Sequence, residues 1–201
     1  NPDFFLGLTA TPNRTDNIDV LSFCGNNLIY KKDLIDGINL ELLCNFEYQG
    51  IHDKHVDYTK ITWRGSKFNE LELTKSLSTQ KRASYVFQNW NKHKQSRTLA
   101  FCSSIKHCDF MNHYFQSKNI KTISVHSQSE VDRDNAIDML KNGEIDVLFS
   151  VDLFNEGVDI PQVDTIMMLR PTESKILFLQ QLGRGLRTSP STGKDIVKII
   201  D

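Results

Sequence analysis

Short apolar runs alternate with amphipathic segments over the second half of the chain. Continuous apolar runs are typical of strands that are covered on both faces, and apolar positions recurring every three or four residues are typical of helices. The runs predict strands over 98–102, 121–125, 147–149, 165–169 and 196–200. The amphipathic segments predict three helices. The first follows Ser103-Ser104 and ends at about 118, the second runs from Ser127 or Ser129 to about 142, and the third spans 174–187. Such alternation predicts an α/β fold in which a parallel sheet carries helices on both faces.

The first hundred residues are less regular. Residues 40–48 alternate well enough to form a strand that could join the same sheet, and 69–93 have the pattern of helices packing on it. The polar stretch 52–68 between them is interpreted as an exposed connector.

Composition narrows the class of protein. The chain has 201 residues, of which 39% are hydrophobic and 24% charged, as expected for a globular protein with its own core. No apolar run approaches a membrane span, and the amino terminus lacks the basic region of a signal peptide, so we expect no membrane partner. The four cysteines have no metal-ligand spacing, so we expect reduced thiols, no metal site and a cytoplasmic protein.

The net charge of −1 hides an uneven distribution. No acidic residue lies between Glu72 and Asp109, a stretch that contains seven lysines and arginines. Between Glu130 and Asp164, ten carboxylates meet only Arg133 and Lys141. A basic face for phosphates is compatible with this division, although charge runs are more often solvated helix faces.

Three segments carry candidate chemistry, and the first is 7–12, which follows an apolar run. Pro12 disfavours helix at Thr11, so Thr9 and Thr11 are expected on an extended turn at a strand end. Judged locally, a plain exit from a strand into a loop with capping threonines is the favoured interpretation of this segment.

The second segment, 150–161, follows a predicted buried strand. Gly157 allows unusual backbone geometry, and Asp159 is a carboxylate on a restrained loop that could accept hydrogen bonds from ribose hydroxyls. A turn aspartate that bonds its own backbone remains an alternative.

The third segment, 180–187, is the most specific. On a helix, Gln180, Arg184 and Arg187 would share one face, while Leu179, Leu182 and Leu186 would form another. Two arginines beside glycines are suited to binding phosphate oxygens. Glycine inside a helix costs stability, which favours a functional role for this segment.

In this order and spacing, the segments resemble the motifs of superfamily-two helicases and translocases. Residues 7–12 resemble motif III, 98–104 motif IV, 150–161 motif V, and 180–187 the QxxGRxxR form of motif VI. The subgroup that fits best contains restriction-enzyme motor subunits, excision-repair helicases and DEAD/DEAH-box relatives. The resemblance implies a RecA-like fold, with 1–27 as the tail of a first RecA-like domain plus a linker and 28–201 as the second.

The resemblance also implies roles in binding ATP. Arg184 and Arg187 would reach the γ-phosphate, one of them as an arginine finger, while Gly157, Asp159 and Gln180 would face the nucleotide. Most contacts to ATP and Mg²⁺ would come from the first RecA-like domain of the same parent chain, which is the implied protein partner.

Other residues would act on movement and on nucleic acid, for which DNA is the expected class. Thr9 and Thr11 would couple hydrolysis to domain movement. A second set would touch the phosphate backbone of the bound strand: Ser103, Ser104, His126 and Ser127. Many relatives carry threonine where Val151 stands, which removes one hydroxyl from this set.

The sequence contains neither a GxxxxGK[ST] phosphate loop nor an Asp-Glu pair. We therefore expect the chain to be the carboxyl-terminal part of a longer ATP-dependent motor and to be inactive alone. The alternative is a non-catalytic nucleic-acid-binding or scaffold module that kept the fold. A small-molecule enzyme would need a nucleophile, for which Cys102 near His107 is the one candidate.

Overall fold

A computed structural model of the chain describes residues 5–7, 20–65, 67–151, 159–171 and 175–201. Its main sheet has six parallel strands in the order β1-β8-β7-β4-β6-β5. The strands are β1 (Asn45–Gln49), β4 (Thr98–Phe101), β5 (Thr122–Val125), β6 (Val147–Ser150), β7 (Thr165–Met168) and β8 (Ile196–Ile200). This confirms the parallel α/β sheet that the alternating pattern predicts.

Six α-helices accompany the strands in the described part of the chain. They are α1 (Leu34–Asn39), α2 (Glu70–Leu77), α3 (Gln80–His93), α4 (Ile105–Gln116), α5 (Arg133–Asn142) and α6 (Lys175–Gly185). Short 3-10 helices occupy Val20–Cys24 and Tyr58–Lys60. The helix predicted to open at Ser127 or Ser129 instead begins at Arg133, because the Asp132 carboxylate caps the amides of Asp134 and Asn135.

Successive residues of β4 point to opposite faces of the sheet, and each face has its own core. Leu99 and Phe101 join the cluster under α5 and α6, whereas Ala100 joins the cluster under α3 and α4. The second cluster includes four aromatic rings in mutual contact: Phe87, Trp90, Phe115 and Phe149. Helices therefore cover both faces, as predicted.

Residues 52–68 are more ordered than the predicted exposed connector. Trp63–Arg64 (β2) and Lys67–Phe68 (β3) form an antiparallel hairpin. Ile61 is buried with Leu73 and Leu77 of α2 in a small third core. The hairpin is therefore attached to α2, which places it beside the carboxyl ends of the parallel strands.

Candidate functional site

A groove of about 410 Å³ lies at the carboxyl ends of four adjacent strands. Parallel α/β sheets place their ligand sites at this edge, because the loops that follow the strands converge there. The groove is lined by Ser103 and Ser104 after β4, His126 and Ser127 after β5, Val151 after β6, Arg170 and Pro171 after β7, and Lys67 and Phe68 of the hairpin, with Glu70, Leu73 and Ile105. All four residues predicted to touch a phosphate backbone are thus brought together.

The two serines after β4 have different surroundings. Ser104 is buried, and its hydroxyl caps α4 by accepting from the His107 amide at 3.3 Å and lies 2.7 Å from the Thr74 hydroxyl. Ser103 is partly exposed, and its hydroxyl lies 3.1 Å from Nδ1 of His107. Of the two serines, Ser103 is therefore the one whose hydroxyl can form a further hydrogen bond in the groove.

The tautomer of His107 follows from its other neighbour. Nη1 of Arg82 lies 3.2 Å from Nε2 of His107, and a guanidinium can only donate, so Nε2 accepts. The proton is then on Nδ1, which donates to the Ser103 hydroxyl and leaves that hydroxyl's own proton for an acceptor in the groove. The Ser103 amide lies 3.4 Å from Nδ1. In this tautomer Nδ1 carries a proton, so it does not accept a hydrogen bond from that amide.

Burial and the nearby Arg82 guanidinium lower the pKa of His107 from 6.5 to about 3. The imidazole is therefore neutral at physiological pH, as the acceptor role of its Nε2 towards Arg82 requires. With Cys102 also buried, this pair lacks the solvent access of a nucleophilic site, and both side chains belong to the interior.

Arg82 itself is buried and held by four contacts. Its Nε donates to the Asp53 carboxylate at 2.6 Å, and its terminal nitrogens approach His107 and the carbonyls of Leu77 and Leu169. This arginine belongs to the basic stretch of the sequence, yet it points inward. Two more residues of that stretch also have partners within the chain, since Arg97 donates to the Leu140 carbonyl and Lys94 lies over the Trp90 ring.

The loop after β5 has a similar support. His126 is buried, and its Nδ1 accepts from the Gln128 amide at 3.2 Å, so Nε2 carries the proton and donates to Asp109 at 2.9 Å. The same carboxylate oxygen accepts from the Ser124 hydroxyl at 2.8 Å. Ser127 next to it is exposed, which leaves Ser127 as the accessible hydroxyl of this loop.

The arginine-bearing helix is shorter than predicted. α6 ends at Gly185, and Arg187 lies beyond the helix. The backbone of Arg187 pairs with that of Leu43 in an isolated antiparallel β-bridge. Arg187 therefore does not share a helix face with Gln180 and Arg184. The three leucines predicted to share a face differ in burial: Leu182 and Leu186 are buried, whereas Leu179 is exposed, and Gln181 is buried instead.

Motifs V and VI nevertheless meet. Nη1 of Arg187 lies 2.6 Å from Oδ1 of Asp159, and both side chains are about half exposed. Lys194 supports the same region by donating to the carbonyls of Pro161, Val163 and Gly185. This lysine satisfies the carboxyl end of α6 and ties it to the loop that follows Asp159.

The two glycines of segment 180–187 lie in different surroundings. A Cβ on Gly185 would lie 2.9 Å from Ile166 and 3.1 Å from Val197, so this glycine lets α6 pack closely on the sheet. A Cβ on Gly183 would meet nothing within 4 Å. Packing therefore explains Gly185, while Gly183 lies on the outer side of the helix and packing within the described residues does not account for it.

Some predicted site residues cannot be placed. Thr9, Thr11 and Gly157 lie outside the described residues. Among the described residues, no group of three or more histidine, cysteine, aspartate or glutamate side chains is arranged to hold a metal ion.

Among the residues that line the groove, sequence reasoning missed Lys67, Phe68 and Arg170 as site residues. A signal for the first two was present, since Gly65-Ser66 is a two-residue hairpin turn pattern.

Comparison with protein families identifies the chain. Residues 75–189 match the family described as the helicase conserved C-terminal domain, and the chain belongs to that family. The similarity to superfamily-two helicases and the RecA-like fold are thereby confirmed.

Individual relatives agree with this assignment. The chain is 30% identical over 98% of its length to IRC3 of Saccharomyces cerevisiae, named as an ATP-dependent helicase, and 28% identical over 90% to irc3 of Schizosaccharomyces pombe, named as a mitochondrial ATP-dependent helicase. It spans only 29% and 30% of those proteins. A solved fragment named as an HsdR subunit of a type I restriction enzyme from Vibrio vulnificus YJ016 has the same fold, with a TM-score of 0.75 and 24% identity over 96% of this chain and 38% of that one.

Proposed function

We propose that this chain is the arginine-bearing half of an ATP-dependent motor that moves on nucleic acid, with DNA as the expected class. The observation that carries the proposal is the groove, in which the segments after four neighbouring strands converge although they lie far apart in sequence. The relatives from Saccharomyces cerevisiae and Schizosaccharomyces pombe are named as helicases, and helicase activity of the whole protein is part of this proposal.

The chemistry of the groove suits a phosphodiester backbone. Ser103 and Ser127 present hydroxyls, Ser104 caps the amino end of α4 at the groove wall, and Lys67 and Arg170 add positive charge. Hydroxyls, helix amino ends and cations are the usual partners of nucleic-acid phosphates. In this proposal Ser104 and His126 hold the loops in place, while Ser103 and Ser127 touch the strand.

The second part of the proposal concerns ATP. The side chains of Arg184, Arg187, Gln180 and Asp159 suit a nucleotide in their chemistry, because guanidinium groups donate to phosphate oxygens and a carboxylate or amide binds ribose hydroxyls. The exposed ion pair between Asp159 and Arg187 keeps the guanidinium extended at the surface, where it can exchange a carboxylate for a phosphate. When bound, ATP supplies the γ-phosphoryl group whose transfer to water drives the motor.

Mg²⁺ and most of the triphosphate contacts are assigned to the first RecA-like domain of the parent protein. Thr9, Thr11 and Gly157 keep their proposed places in coupling and nucleotide binding. No helix among the described residues is long and apolar enough to cross a membrane. A cytoplasmic location remains a prediction, and the relative from Schizosaccharomyces pombe is named as mitochondrial.

The test is ATP hydrolysis by the full-length protein that contains this chain, with and without DNA. We expect replacement of the finger arginine, by Arg184→Ala or Arg187→Ala, to lower turnover by about 10³- to 10⁵-fold while the thermal unfolding midpoint stays near that of the wild type. Lys141→Ala, on the surface of α5, is the matched control and should keep full turnover.

Normal turnover in both arginine variants would refute the finger assignment. A wild-type protein that binds DNA but hydrolyses no ATP would favour the alternative, a binding module that has lost the motor.

A further inference from the structure

The hairpin β2–β3 carries an exposed indole at the rim of the groove. Trp63 is 51% exposed, and its ring meets Phe68 edge to face with centroids 4.7 Å apart. Phe68 in turn lines the groove and packs on the third core beside Tyr58, at 5.9 Å between ring centroids. One aromatic column thus connects the interior with the surface.

The indole is held in place and its polar atom is already satisfied. Nε1 of Trp63 donates to the Gly65 carbonyl at 2.9 Å. The base of the hairpin is fixed to α2, because the Glu72 carboxylate accepts from the Thr62 amide at 2.7 Å and from its hydroxyl at 3.1 Å. A rigid, exposed aromatic ring binds a flat partner at little cost in conformational entropy.

The charges beside the indole favour an anionic partner. Arg64 and Lys67 stand directly opposite each other in the hairpin, and both are exposed. Like charges at directly opposed positions destabilise a hairpin, so this pairing favours binding of an anion. The carboxylates of Glu70 and Glu72 lie nearby, and Glu72 is occupied by Thr62.

A flat ring joined to an anion describes a nucleotide. We propose that the hairpin binds single-stranded nucleic acid where the strand leaves the groove, with a base stacked on Trp63 and phosphates against Arg64 and Lys67. This inference rests on the proposed function, since the same strand would continue along Ser103 and Ser127.

The test uses the complete 201-residue chain and a short fluorescein-labelled oligo(dT). Stacking on an aromatic side chain contributes about 1–3 kcal/mol per base, so Trp63→Ala should weaken binding by about 5- to 150-fold. Trp63→Phe should retain most of the affinity. Arg64→Gln with Lys67→Gln should reduce the slope of log K against log salt by roughly 1.4.

The chain offers its own controls. Its other tryptophan, Trp90, is buried and donates to Thr98, so oligo(dT) should quench only the Trp63 emission, and Trp90 emission reports that a variant is folded. Tyr30→Ala removes another exposed aromatic ring with a lysine beside it, from outside the groove, and should leave binding unchanged.

The two proposals can fail separately. Binding that is unchanged in folded Trp63→Ala, together with no quenching of the Trp63 emission in the wild-type chain, would overturn the hairpin site while leaving the groove in place. Binding that depends on Trp63 but not on Ser103→Ala with Ser127→Ala would overturn the groove and support the hairpin. A wild-type chain that binds no oligo(dT) or oligo(rU) would overturn both.

Discussion

Two arginine–aspartate ion pairs in this molecule have the same nitrogen–oxygen distance but differ in how far their side chains are buried. Arg82 and Asp53 are joined at 2.6 Å with side chains 6% and 18% exposed, whereas Arg187 and Asp159 are joined at 2.6 Å with side chains 48% and 58% exposed. The first guanidinium also has a histidine and two carbonyls as neighbours. Contact distance alone therefore does not distinguish a structural ion pair from one that can exchange its partner.

The difference assigns the pairs to different tasks. Buried charges are costly to leave without partners, so the Arg82 network fixes His107 and, through it, the Ser103 hydroxyl at the groove. Exposed pairs are screened by water and salt and contribute little to stability, so the proposed exchange of Asp159 for a phosphate would cost Arg187 little free energy. The Arg82 network is thus structural, while the role of Arg187 in binding a phosphate is part of the proposed function.

The largest expected effect is on stability, from Arg82→Met. Removing this guanidinium takes the Arg82 donor away from Oδ2 of Asp53 and from two carbonyls, which should lower the free energy of unfolding by about 3–5 kcal/mol. Arg187→Met is the matched change at the exposed pair and should cost less than about 1 kcal/mol. Urea denaturation of both variants measures this, and equal losses would contradict the division drawn here.

A smaller effect concerns pH and His107. Its pKa is about 3 in the folded chain and 6.5 in the unfolded reference, so below pH 6.5 the unfolded state binds a proton that the folded state does not. Stability is therefore lost as the pH falls from 6.5 towards 3, by about 2 kcal/mol at pH 5 from this group.

The free energy of unfolding should differ between pH 7 and pH 5 by about 2 kcal/mol less in His107→Gln than in the wild type, because the contribution of the imidazole is removed. His113→Gln is the control, because His113 lies on the same helix but is exposed to water in the folded chain. An unchanged pH dependence in His107→Gln would show that the imidazole is not buried as a neutral donor to Ser103.

Local pattern predicted the central strands well because β4, β6 and β7 are buried along their whole length. The run 147–149 contains no polar residue that could suggest a helix face, and the structure places a strand over it. The run 196–200 contains one charged residue, Lys198, and also forms a strand. The parallel α/β arrangement followed from their alternation with helices. Motif spacing then predicted which strand ends carry site residues, and the segments after four of those strands line one groove.

Contacts between distant segments were beyond the reach of the same pattern. The role of Arg82 depends on Asp53 and His107, which lie 29 and 25 residues away, so composition suggested a basic surface where one guanidinium is in fact buried. Gly185, the last residue of α6, packs closely against Ile166 and Val197, and Arg187 beyond it forms a bridge to Leu43. Periodicity along 180–187 contains no information about those neighbours.

The smallest expected effect on stability belongs to the exposed pair. Asp159→Asn should change the free energy of unfolding by less than about 1 kcal/mol, and a double-mutant cycle with Arg187→Gln should give a coupling energy in the same range that shrinks at high salt. Asp53→Asn, the same change at the buried pair, is the control and should cost several times more. A coupling energy above about 2 kcal/mol would show that the Asp159–Arg187 pair stabilises the fold. Breaking the pair would then cost that free energy before Arg187 could reach a phosphate.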